Sequence, residues 1–281
     1  MTVPALITLQ SVHEWLQGDP TKSFPTTSDN LLTRMIGAVS AFAVIYLARP
    51  IAPATFTEVY NGNGKPQMML RQQPIIRVRS LTVDTTAVAA RTQVGASGYV
   101  ADSEMLYLDG GGLTVFGFGP AQTFSCGIQN VAVVYDAGYQ TTAALAVPAS
   151  TPYILDSGDL PQVWNADGGV TYTSTGAAFT LVTSAPSVAG TYQLTLDSLG
   201  NAEYLFAAAD AGAVVTITYG YTPGDIAQAL IELVGERMRS RDRIGETSKN
   251  FGQTTVSFSQ RDMNAAIKGY LQAYRNVVPI Q

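Results

Sequence analysis

The stretch Tyr221 to Arg243, YTPGDIAQALIELVGERMRSRDR, contains the clearest helical pattern of the chain. Thr222 can cap the helix, Pro223 suits its first position, and Asp225 adds an acidic group to the first turn. Apolar residues recur at helical spacing and form one stripe: Ile226, Leu230, Leu233, Val234 and Met238. The pattern predicts an amphipathic helix that lies on a sheet supplied by the preceding chain.

The C-terminal end of this helix is rich in arginine. Positive charge at a helix C-terminus is favoured by the macrodipole, by a few tenths to about 1 kcal/mol per group. Two interpretations stay open: the solvated end of a core helix, or a surface that meets an acidic neighbour. The residues concerned are Arg237, Arg239, Arg241 and Arg243.

The composition favours a protein that hides much of its surface in an assembly. Of the 281 residues, 46% are hydrophobic and only 13% are charged, which is about half the usual charged share. The net charge of −5 argues against a general nucleic-acid binder, because such a protein needs basic patches to displace counterions. The single cysteine, Cys126, excludes an internal disulfide and a cysteine-based metal site.

Two helices are predicted before the strands begin. The first runs from a Thr8 cap through Leu16, and the second from about Asp29 to the prolines at 50 and 53. His13, the only histidine, is interpreted as an ordinary residue of the first helix. The apolar run MIGAVSAFAVIYLA is shorter than the ~20 residues of a membrane span, so a buried helix and no membrane association are expected. The first ten residues lack the pattern of a secretion signal.

From residue 54 the pattern changes to the alternation that is typical of β-strands. The motif Asn61 to Gly64, NGNG, predicts a hairpin between the first two strands. The predicted strands cover residues 56–60, 67–70, 75–83, 98–101, 105–108 and 131–135. After the arginine-rich helix, a strand is predicted over 254–259, then a helix from Asp262 or Met263 to Arg275 and an apolar tail.

Four features occur in one order along the chain. A short helix, ITLQSVHEWLQ, precedes a long one, DNLLTRMIGAVSAFAVIYLARP; then come the strands of FTEVYNGNG and MMLRQQPIIRVRSLTVD, and last NVAVVYDAGY with a helix of pattern P-x-D-I-x-Q-A. This order resembles that of the head–tail connector (adaptor) family of long-tailed bacteriophages. The resemblance covers about residues 7–139 and 221–274.

The resemblance implies a structural protein of the virion neck, present in the host cytoplasm during assembly. It implies a homo-oligomeric ring, dodecameric like a portal, that joins the portal protein to the next neck or tail protein. DNA would pass through the channel without sequence-specific binding, and neither a cofactor nor a catalytic residue is expected. In the family, terminal segments dock on the portal. The predicted partner-binding residues are the four arginines above, for an acidic face on a neighbouring subunit or on the portal, together with Tyr274, Arg275, Val277, Val278, Pro279, Ile280 and Gln281.

The chain departs from the family between VVYDAGY and the helix, where residues 140–220 intervene. Strands are predicted there at 169–173, 178–182, 191–196, 203–206 and 214–219, and their regular spacing predicts a small β-sandwich. The segment FAAADAGAVVTITY resembles the closing strands of immunoglobulin-like modules in phage structural proteins. The predicted class is α+β: a connector domain (1–140 and 221–281) interrupted by an immunoglobulin-like insert (141–220) whose ends lie close together.

Two other functions stay open. The insert could be a virion surface-binding module for a carbohydrate or receptor, although tyrosine in a β-sandwich is more often used in packing. Its candidate residues are Tyr153, Trp164, Tyr172 and Tyr192. A hydrolase is the weaker alternative, because Cys126 and His13 lie in unlike elements and Asp156, Asp159 and Asp167 lie in turn-rich sequence. No enzymatic activity is therefore expected.

Overall fold

The computed structural model describes residues 4–17, 26–94, 96–110, 113–114, 117–118, 122–240, 248–251, 254–257 and 263–276. The chain divides into two compact units. One, here called the strand unit, comprises Arg49–Gln140 and Asn276–Gln281; the other, the helix–module unit, comprises Met1–Ala48 and Thr141–Arg275. Helices and mainly antiparallel sheets confirm the α+β class.

Among its described residues, the helix–module unit has four α-helices: α1 Leu9–Gln17, α2 Asp29–Leu47, α3 Gly224–Ser240 and α4 Ala265–Gln272. The Thr8 hydroxyl accepts a hydrogen bond from the Ser11 amide, so Thr8 caps α1 as predicted. Asn264 caps α4 by accepting from the amides of Ala266 and Ile267, so the helix begins at Ala265, two or three residues after the predicted start. The main neighbours of α3 are α1, α2 and α4, so the prediction that α3 lies on a sheet is wrong.

Helix α2 is less buried than predicted. Its inward face, which includes Leu32, Ile36, Val39 and Leu47, packs among the other helices, whereas Ile45 is 79% exposed. By length and composition the helix could cross a membrane, with 19 residues and a mean hydropathy of 1.5, and 33% of its apolar window is buried. The length argument therefore does not separate a span from a core helix, and the absence of membrane association stays a prediction.

The strand unit contains two sheets that share one hydrophobic core. Strands β1 Ala54–Gly62, β9 Gly127–Ala137, β3 Ile75–Val83 and β4 Thr86–Val88 form one sheet in that order. The second sheet has the order β2 Gln67–Met69, β6 Met105–Asp109, β5 Gly98–Ala101, and a short pair is formed by β7 Leu113–Thr114 and β8 Gly117–Phe118. The large core side chains are Tyr60, Met68, Leu81, Leu106, Phe124 and Tyr135.

The predicted NGNG hairpin is wrong. Strand β1 pairs with β9 and β2 pairs with β6, so the two strands that flank the motif belong to different sheets. The motif is bound by the later segment 124–130: the Gly64 amide donates to the Phe124 carbonyl, and the Gly62 amide donates to Asn130 Oδ1. These long-range hydrogen bonds replace the local ones of a hairpin, and the motif connects two layers.

Residues 140–222, here called the β-module, form a seven-stranded sandwich. One sheet has the order β10 Gln140–Ala146, β16 Val214–Thr222, β12 Val163–Tyr172. The other has the order β11 Ile154–Asp156, β15 Ala202–Phe206, β14 Thr191–Leu196, β13 Thr180–Leu181, and its last pair is parallel. Both sheets contribute to one core that includes Leu155, Val170, Tyr192, Tyr204, Val215 and Tyr219.

The strand order of the β-module does not confirm the immunoglobulin-like prediction. In an immunoglobulin sandwich, the first, second, fifth and fourth strands share one sheet, and the third, sixth and seventh share the other. Here the first, seventh and third strands are together, and the second, sixth, fifth and fourth form the other sheet. The module is a β-sandwich with its own connectivity.

The two ends of the β-module lie side by side, as expected for an insertion. Val147, just after β10, exchanges backbone hydrogen bonds with the Gly212 amide and the Ala213 carbonyl, just before β16. Neighbouring strands joined in this way run antiparallel, so the start of β10 lies beside the end of β16. Thr222, predicted to cap α3, is instead the last residue of β16, two residues before α3 begins at Gly224, and its hydroxyl accepts a hydrogen bond from Asn165.

The β-module also holds the N-terminus of α1. The Leu199 carbonyl accepts hydrogen bonds from the Leu9 and Gln10 amides, and Asn201 Nδ2 donates to Gln10 Oε1 over 2.6 Å. Helices and module thus fall in one compact unit. The predicted division at 140/141 and 220/221 stays a prediction. Near the C-terminus, β17 Ser248–Phe251 and β18 Thr254–Ser257 form a hairpin, of which the sequence predicted only the second strand.

Candidate interaction surfaces

Two of the predicted cations lie over one aromatic pair of α2. The Arg237 guanidinium lies 5.8 Å from the centroid of the Phe42 ring, and the Arg275 guanidinium lies 5.6 Å from that of Tyr46. The two rings stack with centroids 5.9 Å apart, as their spacing of four residues on a helix allows. Both arginines therefore have an aromatic neighbour within the chain, which sequence analysis missed although the spacing of Phe42 and Tyr46 pointed to a shared face.

Polar contacts fix both ends of α4 to the other helices. The Tyr274 hydroxyl lies 3.3 Å from Asp225 Oδ2, Tyr46 lies 3.4 Å from Gln272 Oε1, and Asn264 donates to Glu236 Oε1 over 2.6 Å. Arg239 lies on the exposed end of α3. The remaining predicted contact residues, namely Arg241, Arg243 and 277–281, lie outside the described residues.

The VVYDAGY motif ends β9, the strand that pairs with both β1 and β3. Asp136 points to the outer face of this sheet, where its Oδ2 accepts from Arg77 Nε over 2.6 Å and its Oδ1 accepts from Arg79 Nε over 2.8 Å. Thr55 of β1 donates to Oδ1 as well. Burial alone would raise the pKa of Asp136, but the hydrogen bonds from Arg79, Thr55 and Arg77 together lower it to about 2. The carboxylate thus links three strands.

The D136N protein should lose less stability in the strand unit than the wild type as the pH falls. Because the folded pKa of about 2 lies below the ordinary value of 3.8, the ion pairs stabilise the fold above about pH 4 and lose their effect as the pH falls towards 2. Since both arginines are about half exposed, we expect a difference of only about 1 kcal/mol. Thermal unfolding of both proteins between pH 7 and pH 2 should show that the difference in their stability disappears at low pH. A difference that stays constant with pH would contradict the stabilising role of the Asp136 ion pairs.

The tyrosine of the motif belongs to a buried polar cluster. Tyr135 is fully buried, donates to Glu58 Oε2 over 2.7 Å and accepts from the Gln72 amide over 3.0 Å. Tyr60 also donates to Glu58 and accepts from the Arg71 amide. Burial first, and then hydrogen bonds within the cluster, raise the pKa of both phenols, so they remain protonated donors. The cluster joins β1 and β9 to the chain that follows β2.

The glycine of the motif occupies a position where a side chain does not fit. Gly138 has a φ of +132°, and a Cβ atom there would lie 2.8 Å from the Ala52 carbonyl oxygen and from the backbone of Pro53. Its amide donates to the Pro74 carbonyl, and the next amide, of Tyr139, donates to the Ile51 carbonyl. The fold of the strand unit thus explains why Tyr135, Asp136 and Gly138 occupy these positions in the motif.

A cleft of about 520 Å³ opens in the strand unit. Its lining includes Val59, Tyr60 and Asn61 of β1, Met69 at the end of β2, Arg71, and Asn276 near the C-terminus. The Arg71 guanidinium lies over the Tyr60 ring at 4.8 Å, and Asn276 Nδ2 donates to the Arg71 carbonyl over 2.8 Å. The cleft is not predictable from the sequence, because its walls come from segments far apart in the chain.

His13 lies in α1, the helix in which the sequence placed it, and faces inward. It is 9% exposed, and its Nε2 lies 2.9 Å from Asp29 Oδ1 at the start of α2. This contact ties α1 to α2. Among the described residues, no three His, Cys, Asp or Glu side chains are grouped closely enough to hold a metal ion.

The aromatic residues of the β-module pack inside it. Tyr192 is 2% exposed and donates to Asp167; Trp164 packs against the same core and donates to the Tyr204 hydroxyl. Tyr172 donates to the buried Asp210, and Tyr153 also packs on the core. These contacts favour a packing role over carbohydrate or receptor binding for the four candidate residues.

No protein-family model and no curated protein matches the chain. The neck of an empty gene transfer agent particle computed with C6 symmetry is similar at 12% identity and a TM-score of 0.40, covering 100% of this chain and 95% of that one. The neck of the native particle computed with C12 symmetry is 13% identical with a TM-score of 0.36, and the match covers 89% of this chain and 84% of that one. The virion of the native particle is 11% identical with a TM-score of 0.38, and the match covers 97% of this chain and 90% of that one. TM-scores below 0.5 do not establish a common fold.

Proposed function

We propose that the chain is a structural head–tail adaptor of a phage virion. The main support is the order of its elements: short helix α1, long helix α2, a strand unit that ends in VVYDAGY, and the P-x-D-I-x-Q-A helix α3. This is the order on which the resemblance to the connector family depends. Within the motif, Asp136 and Gly138 serve the fold, which is what a structural protein requires.

In this proposal, copies of the chain form a ring, dodecameric to match a portal, at the virion neck. The ring binds the portal protein on one side and the next neck or tail protein on the other, after assembly in the host cytoplasm. The low charged share of 13% suits a surface that is largely covered by neighbours, and the net charge of −5 suits a channel that lets DNA pass without holding it. No catalytic step, cofactor or membrane is part of the proposal. Co-assembly with the portal protein tests it, as set out in the Discussion.

The portal contact is assigned to the C-terminal part of the chain. Its proposed members are the arginines 237, 239, 241 and 243, Tyr274, Arg275 and the residues from Val277 to Gln281. Arg237 and Arg275 lie over the rings of Phe42 and Tyr46 and so help to hold α3 and α4 against α2. Part of their role is therefore structural. The charged contact is therefore expected to come mainly from the arginines beyond Arg237.

Assembly with the portal should weaken as salt is added. The Debye length falls from ~10 Å at 0.1 M to ~3 Å at 1 M, so a contact between arginines and an acidic face loses its long-range part. Changing Arg241 and Arg243 to glutamine should mimic high salt without unfolding the subunit. Sedimentation with the portal measures the effect, and R34Q with K65Q, which removes equal charge elsewhere, is the control. If neither added salt nor the changes at Arg241 and Arg243 affect assembly, these arginines do not contribute to the portal contact.

The β-module is proposed to be an inserted folding unit on the outer wall of the ring, because a module inside the channel would obstruct DNA. Its own core and its adjacent ends support this. The isolated residues 140–222, which include all seven strands, should fold and unfold cooperatively. Deleting 143–220 should keep the helical circular dichroism but cost about 1 kcal/mol of stability, since α1 loses its Leu199 cap. An unfolded fragment together with an aggregated deletion would mean that the two parts share one core.

A further inference from the structure

One face of the four-stranded sheet in the strand unit, here called the outer sheet face, is exposed and built of short side chains. Along β1, Thr55, Thr57 and Val59 point away from the hydrophobic core. Ala132 of β9 lies directly opposite Val59, and Ala87 of β4 lies on the same face at the other edge of the sheet. All five residues are exposed and uncharged. Because charged residues are depleted at the centre of protein–protein interfaces, this face suits a protein partner.

The outer sheet face carries its charge in the cluster of Arg77, Arg79 and Asp136. Two guanidinium groups share one carboxylate, so the cluster has a net positive charge. The arginine side chains are 64% and 47% exposed, whereas that of Asp136 is 11% exposed, and a partner therefore meets the cations. Two copies of this face placed against each other would bring four arginines together, which like-charge repulsion disfavours. An acidic surface from another part of the chain is the partner that fits.

The β-module supplies acidic charge without any basic residue. Residues 140–222 contain no lysine or arginine, so all 16 basic residues of the chain lie elsewhere. Some of the module's carboxylates serve the module itself: Asp167 and Asp210 accept hydrogen bonds from tyrosine hydroxyls, and Asp197 accepts from backbone amides. The acidic residues are Asp156, Asp159, Asp167, Asp197, Glu203 and Asp210.

Two of these carboxylates lie side by side on the outside of the module. Asp156 of β11 and Glu203 of β15 are direct cross-strand partners, so their side chains share one face of the sheet. Their neighbours Leu155 and Tyr204 point into the core, and the shared face is therefore the outer one. Like charges directly opposite each other destabilise a sheet. Neither carboxylate takes part in an ion pair among the described residues, so a cation from another molecule would relieve this repulsion.

We propose that the outer sheet face binds the β-module of a second copy of this chain, with Arg77 and Arg79 opposite the neighbour's Asp156 and Glu203. The contact joins two different surfaces of the same chain, which is the heterologous arrangement that closes into rings. The proposal rests on the ring of the proposed function and names the contact between its subunits. It involves neither the portal nor the C-terminal residues.

Self-association of the full-length chain, without portal, tests this contact through the sign of one charge. Thr57 lies on the outer sheet face, diagonally across from Asp136. T57E adds a negative charge that meets the acidic module, and the association constant should fall about three- to tenfold. T57K is the matched control, because it adds a side chain of similar length with the opposite charge and should associate at least as well as wild type. Analytical ultracentrifugation over a range of concentrations measures association, and circular dichroism checks that each variant is folded.

A change on the other surface gives a second, independent test. E203K removes the like-charge pair with Asp156, so the midpoint of thermal unfolding should rise. The same change reverses the charge that meets Arg77 and Arg79, so association should fall about three- to tenfold. A chain that carries both T57E and E203K should associate better than either single variant, because the two reversed charges attract each other again.

Four results would overturn the proposal. The wild type could stay monomeric at every concentration, or T57E and T57K could weaken association equally, which would make the effect steric. E203K could leave association unchanged, or the double variant could associate no better than the single ones. Each of these results leaves the adaptor proposal standing, because a ring on the portal could still form through another pair of surfaces.

Discussion

Replacing Gly138 with alanine should lower the free energy of unfolding of the strand unit by about 2–4 kcal/mol. Two effects add. Alanine rarely adopts a φ of +132°, and its Cβ would lie 2.8 Å from the backbone of Ala52 and Pro53, which cannot move like a flexible side chain. The hydrogen bond from the Gly138 amide to the Pro74 carbonyl would be strained as well. Thermal or denaturant unfolding followed by circular dichroism measures the loss.

Gly169 supplies the control for this change. It also has a positive φ, of +101°, but a Cβ there meets nothing within 4 Å. G169A therefore contains the backbone strain without the overlap and should cost only about 1–2 kcal/mol. If G138A and G169A were equally destabilising, the close approach of Ala52 and Pro53 would not contribute to the loss of stability. The structural role proposed for Gly138 in VVYDAGY would then be wrong.

Removing residues 277–281 should leave a folded, soluble protein that no longer co-sediments with the portal protein. Two or three apolar side chains leave the proposed contact, and each is worth about 1.5–3 kcal/mol when fully buried. Portal affinity should therefore fall at least about a hundredfold. A variant with the same five positions changed to glycine and serine keeps the chain length and should behave like the truncation. Unchanged portal affinity in both variants would remove the tail from the contact.

Local sequence patterns predicted the elements whose hydrogen bonds and packing are regular. The predicted strands 75–83, 98–101 and 191–196 match β3, β5 and β14, and the last of them, TYQLTL, alternates between polar and large apolar or aromatic residues. The helices were placed within a few residues, since caps such as Thr8 act locally. Strands β10 and β11 were missed, because the threonine- and alanine-rich β10 has little alternation in hydrophobicity.

The features that the sequence did not predict share a physical cause: each depends on a contact with a residue far away in the chain. The NGNG motif has hairpin chemistry, but its amides bind residues 124–130, and that contact cannot be read locally. The same holds for His13, whose partner Asp29 lies on another helix, and for Arg275, whose ring neighbour Tyr46 is far away in sequence. The cleft was not predictable either, since it forms where two sheet edges meet. Asp136 and Gly138 were singled out only through the family resemblance, and the structure supplies their reasons.

Electron microscopy of the full-length chain assembled on its portal protein tests the adaptor proposal most directly. The account predicts a closed ring of twelve copies stacked on one end of the portal, with an open central channel and the β-modules outermost. The V94D protein, altered only at an exposed position, should give the same ring. A chain that stays apart from the portal, or a complex whose central channel is blocked by the β-modules, would contradict the account.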